Sequence, residues 1–116
     1  MSVEQTNVVD FIATCPNSNK VWLVITDHLE WTGDDQPDKL HMLILQEKIN
    51  AYLGFIESGE IYQSYPKAAG RDIEIQVVRK YPMNSEAEAF AEKIRSALRK
   101  YNIGFESRVS EDVPLE

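Results

Sequence analysis

Apolar residues recur along this chain at two spacings, every second position in four short runs and every third or fourth position in two long ones. Val8 to Ala13 and Lys20 to Asp27 are rich in β-branched and aromatic residues, and Pro16-Asn-Ser-Asn19 between them supplies turn chemistry, so a β-hairpin is expected. In its second strand Val21, Leu23 and Ile25 share one face while Trp22, Val24 and Thr26 share the other, and both faces are largely apolar. Such a strand is central and covered on both sides, or it lends one face to a partner.

Thr32-Gly-Asp-Asp-Gln36 breaks the strand pattern, and Pro37 suits the first helical position after a cap at Asp35 or Gln36. Met42, Leu45, Ile49, Tyr52, Leu53 and Ile56 then recur at helical steps, flanked by Leu40, Leu43 and Ile44, which predicts a helix with a wide apolar stripe. Ser58-Gly59 ends it, since glycine takes the left-handed conformation at little cost. Gly54 within the helix is expected to permit close packing or to mark a bend.

Glu60 to Gly70 has no clean period and reads as the longest irregular segment, bearing Tyr62 and Tyr65. In the next run, Asp72 to Lys80, Ile73, Ile75 and Val77 alternate with Glu74 and Gln76, the pattern of a strand with one wet face. Ser85-Glu-Ala-Glu88 matches a capping box at the start of a second helix. Its inner stripe is Ala87, Phe90, Ala91, Ile94, Ala97, Leu98 and Tyr101, and its acidic start and basic end suit the helix dipole. Ile103 to Val109 reads as a last strand and 110–116 as a loose acidic tail. The order ββαβαβ, with right-handed crossovers, predicts an α+β two-layer sandwich in which both helices cover one face of a four-stranded mixed sheet.

Length and composition narrow the class. With 116 residues, 43% of them hydrophobic, residues 1–116 are expected to form a single domain. A single cysteine, Cys15, excludes an intrachain disulfide, and it reads as a structural thiol at a strand end because a nucleophile would want a basic neighbour. The polar N-terminus lacks a signal-peptide pattern and no apolar run is of membrane length, so a cytoplasmic protein is expected. The net charge of −7 argues against nucleic acid and anionic membranes as partners. Charge is uneven: Arg71 to Asn102 carries +2, leaving −9 elsewhere, a surface that is solvated or meets a basic partner.

Reactive residue types gather in Asp27-His28-Leu29-Glu30-Trp31, where the second strand exits the sheet. Histidine beside carboxylates serves as a general base or a ligand, and Trp31 offers a stacking surface. His41 is the only other imidazole, and with His28 and Asp34 or Asp35 it is a weak candidate for a metal site. Tyr62, Tyr65 and Arg71 form a second candidate group, expected to share a pocket with Asp27 to Trp31. Arg79, in register with Ile73, Ile75 and Val77, is expected to reach a carboxylate at the strand end. There is no HExxH, paired-cysteine, Walker or nucleophile-elbow motif, so neither a catalytic set nor a cofactor is assigned.

Asp27-His-Leu-Glu-Trp31, Leu45-Gln-Glu-Lys-Ile-Asn-Ala-Tyr-Leu53, Phe55-Ile-Glu-Ser-Gly-Glu-Ile61 and Lys80-Tyr-Pro82 resemble a family of short bacterial proteins known only as a domain of unknown function. The resemblance runs from the hairpin to the second helix, omitting Thr32 to Lys39 and the tail. It implies a bacterial cytoplasmic origin and carries over no activity. Two functions follow as expectations. One is a non-catalytic protein-interaction module that binds another protein, or itself as a homodimer, through the sheet face or the tyrosine segment. The other is a small-molecule or metal binder, or a weak hydrolase, built on Asp27 to Trp31.

Overall fold

A computed structural model describes residues 11–14 and 18–110. Strands β1 (Phe11–Thr14), β2 (Lys20–Asp27), β3 (Asp72–Arg79) and β4 (Ile103–Val109) form one sheet in the order β1-β2-β3-β4. The first pair is antiparallel and the other two are parallel, so the sheet is mixed. Helix α1 (Asp35–Glu57) carries the chain from β2 to β3, and α3 (Ser85–Arg99) carries it from β3 to β4. Cys15, part of the expected turn, residues 8–10 of the expected first strand and the tail from 111 lie outside the described residues.

One face of the sheet is the floor of the core. Val21, Leu23 and Ile25 of β2, Ile75 and Val77 of β3 and Phe105 of β4 pack there against Leu45, Ile49 and Tyr52 of α1 and Ala91, Ile94 and Leu98 of α3. Both long helices thus share this face, and the Tyr52 hydroxyl donates to the Val24 carbonyl at 2.9 Å, tying α1 to β2. On the other face Trp22, Val24, Thr26, Glu74 and Gln76 are half-buried and Val78 is buried.

Several details depart from the sequence expectation. Helix α1 begins at Asp35 after an extended Asp34, with Pro37 further into the first turn, where it still costs no intrahelical donor. Residues 60–70 are not irregular, for they hold a short helix α2 (Glu60–Ser64) and a 3₁₀ turn (Pro66–Ala68), which Ile61 and Ala68 anchor by full burial. At α3 the cap is Asn84 rather than Ser85, its side chain accepting from the Ala87 N–H. Gly54 permits no close packing, as nothing lies within 4 Å of a side chain added there. Ala97 and Tyr101 of the expected inner stripe face outward.

The largest departure is in what the buried stripe of α1 contains, for Leu45, Ile49 and Tyr52 face inward as expected but not alone. Its inward residues are Asp38, His41, Leu45, Lys48, Ile49 and Tyr52, while Leu40 and Leu43 are 57% and 51% exposed. Three polar residues therefore occupy the buried stripe, and two leucines occupy solvent.

Candidate functional site

The polar residues brought inward by α1 meet the end of β2. Asp27 continues the inward series Val21, Leu23, Ile25, and so its side chain lies fully buried at the carboxyl edge of the parallel strands. Its backbone carbonyl accepts from the Lys80 N–H, extending the ladder with β3 by one bond. One carboxylate oxygen accepts from the Leu29 N–H at 3.1 Å, which turns the chain sharply out of the strand. The other is 2.7 Å from Nε2 of His41, itself only 2% exposed.

The segment after Asp27 folds back over this pair. Trp31 is buried and its ring stacks on the His41 imidazole, with centroids 3.7 Å apart and planes 19° from parallel. Asp38, one helical turn before His41, holds that segment in place. Its carboxylate accepts from the Thr32 N–H, the Thr32 hydroxyl and the Gly33 N–H, and from the Asn84 amide at the cap of α3. These donors, the Thr32 N–H foremost, hold the Asp38 carboxyl below its usual range, against the desolvation that pushes it up. One buried carboxylate thereby fastens the β2–α1 connection to the starts of both long helices.

Arg79 lies beside Asp27 in the sheet register, at the same carboxyl edge. Among the described residues its guanidinium donates to the Ser107 hydroxyl at 2.7 Å and to the Tyr81 carbonyl at 2.9 Å rather than to the expected carboxylate. Burial lowers its pKa, and the fields of Asp27 and Glu88 raise it, which leaves an arginine charged. Lys48 is also fully buried two turns along α1 from His41, with Nζ 5.5 Å from the Tyr52 ring centre.

Chemically, the Asp27–His41 pair has a fixed polarity. The carboxylate accepts, so Nε2 of His41 carries the hydrogen and donates it, and the ring nitrogen not engaged by Asp27 is Nδ1. That nitrogen is buried and has no hydrogen-bond partner among the described residues, and the same holds for Nε1 of Trp31. His41 also lines a surface depression of about 290 Å³, whose other walls are Leu29, Glu30, Thr32, Pro37, Leu40 and Ile44. An apolar cleft with one oriented imidazole in its wall is the usual composition of a small-molecule site, though this one is small and open.

The structure separates residues that were expected together. Asp27, His28, Glu30 and Trp31 lie at the carboxyl end of β2, and Tyr62, Tyr65 and Arg71 lie at its amino end, where Gly70 is tied to Asn19. Seven strand steps, about 23 Å, separate the two ends, so no shared pocket forms. Arg71 instead donates to the Lys67 carbonyl, Tyr62 is exposed and Tyr65 packs on the core. Among the described residues no group of three or more His, Cys, Asp and Glu side chains is placed to hold a metal ion, and His41 faces Asp27 rather than Asp34 or Asp35. Asp38 and Asn84 escaped sequence reasoning because each looks like an ordinary polar residue of a helix start. The one available signal was positional, for Asp38, His41, Leu45, Lys48 and Tyr52 are spaced three or four apart and share a face.

Against known families, the model of a family of unknown function, DUF6572, matches residues 1–111. The chain belongs to this family. DUF6572 membership agrees with the expected match to a family known only as a domain of unknown function, and it assigns no activity. Comparison with curated proteins found no match, and comparison with solved structures found none. Among the described residues of this DUF6572 protein no helix is long and apolar enough to cross a membrane.

Proposed function

We propose that the domain is a binding module for a small, largely apolar molecule seated in the depression beside His41. The observation that carries this reading is the His41 imidazole, locked by Asp27 on one nitrogen, with no partner among the described residues on the other, and set in the wall of that depression. Binding there takes advantage of a scaffold that Asp38 and Trp31 have already ordered, so little entropy is lost on association. A fragment screen by ligand-observed magnetic resonance, run on the wild type and on Ile44→Trp, tests it. Hits that move the backbone amides of Leu40 to Ile44 and vanish when the indole fills the cleft are expected. Hits that leave those amides unmoved, or none at all, would end the reading.

A second reading, the protein-interaction module, draws on a separate feature. Between α1 and α3 runs a groove of about 280 Å³ lined by Ile49, Leu53, Phe90, Ile94 and Leu98, with Tyr101 at its end. Leu43, half exposed, sits one turn before groove-lining Gln46 on the same side of α1. Such an unfilled helix-pair groove suits an amphipathic helix of another protein or of a second copy.

A further inference from the structure

We propose that the outer edge of β4 is a self-pairing surface, on which a second copy of this chain lays its own β4 antiparallel, with Ser107 facing Ser107 across a two-fold axis. This surface is separate from the His41 depression. β4 ends the sheet and is hydrogen-bonded to β3 alone. The Ser110 N–H donates to the Arg79 carbonyl, and strand residues turn their backbone groups to alternate sides, so Gly104, Glu106 and Arg108 also face β3. Ile103, Phe105, Ser107 and Val109 therefore turn theirs outward, as the bond from Arg95 Nε to the Phe105 carbonyl at 3.1 Å shows. Among the described residues Arg95 is the one group that bonds to this outward row. A row of free donors and acceptors is a template for another strand.

Side chains select the occupant and the register. On the sheet face away from the helices β4 carries Gly104, Glu106 and Arg108, and the two charged residues are exposed, with no ion-pair partner among the described residues. Charges of one sign would repel a second copy, whereas Glu106-Ser-Arg108 is complementary to its own reverse. Centred on Ser107, the pairing sets Glu106 opposite Arg108 of the second copy, and the two-fold axis repeats that contact. Centred on Glu106 or on Arg108, it would oppose like charges. The Ser107 register also makes these the positions without ladder hydrogen bonds, where facing side chains come closest. On the helix side Val109, 46% exposed in the single chain, comes opposite Phe105 of the second copy. The bond from Arg95 leaves the edge open, because a carbonyl oxygen has a second lone pair.

Sedimentation equilibrium from low micromolar to near-millimolar concentration tests the pairing, with circular dichroism to check that each variant stays folded. The wild type is expected to dimerise. Glu106→Arg and Arg108→Glu each turn both symmetric attractions into repulsions and are expected to weaken the dimer by about tenfold. The double exchange Glu106→Arg with Arg108→Glu is expected to restore it. Val109→Pro removes an outward N–H, leaves the ladder to β3 intact and is expected to abolish the dimer. A wild type that stays monomeric overturns the proposal, and so does a dimer that survives Val109→Pro, ignores the single exchanges or is not restored by the double one.

Discussion

Asp38 shows how one side chain organises a site without touching a ligand. It is 1% exposed, yet its carboxylate takes four hydrogen bonds, three from the β2–α1 connection and one from Asn84 of the α3 cap. Such a buried charge is tolerated because every donor around it points inward. Its pKa is depressed in the folded state, so the stabilisation it provides is fully present above the ordinary carboxylate value and is lost as the pH falls through the folded one. Urea midpoints for the wild type and Asp38→Asn, measured from neutral pH downward, are therefore expected to converge in acid. A gap that stays constant across the range would show that the carboxylate charge is not what matters. None of this was legible in the sequence, because an aspartate in the first turn of a helix ordinarily faces solvent.

At the scale of elements, α1 is where periodicity misled. Counting apolar residues assigned Leu40 and Leu43 to the flanks of the buried stripe and passed over His41 and Lys48. Leu45, Ile49 and Tyr52 keep their expected inward places, and the first turns add Asp38 and His41 to that face, each bonded to a group outside the helix. Once those two are fixed, the position of Leu43 follows from 3.6 residues per turn. A substitution pair checks the phase by denaturant titration. Leu43→Lys is expected to change stability by no more than about 0.5 kcal/mol, as at other exposed positions. Leu45→Ala, at 1% exposure, is expected to cost about 2–5 kcal/mol. Comparable losses at both sites would refute the outward placement of Leu43. By contrast β3 and α3 were legible because each has one dominant apolar face, whose burial sets the phase.

Over the whole molecule, the parallel pairing of β2 with β3 decides which loops can cooperate. Both strands end at the His41 side, which brings Arg79 and Lys80 beside Asp27 and sends Tyr62, Tyr65 and Arg71 to the far end. Sites so far apart act independently. Accordingly, Tyr62→Ala and Arg71→Ala are expected to leave fragment binding at the His41 depression unchanged, whereas Ile44→Trp abolishes it. A loss of binding in Arg71→Ala would mean that the two ends are coupled.

From its sequence alone, the chain could be assigned an α+β sandwich with the order ββαβαβ, a mixed sheet, two long helices on one face and a family membership. The fold rests on short-range periodicity, turn chemistry and the handedness of crossovers, all of which neighbouring residues encode, whereas the family rests on resemblance. The site was decided by the tertiary structure. Asp27 and His41 are 14 residues apart, Arg79 and Ser107 are 28 apart, and Asp38 and Asn84 are 46 apart. A polar side chain is driven to the surface unless a partner waits inside, and whether one waits depends on which distant segments the sheet has already brought together.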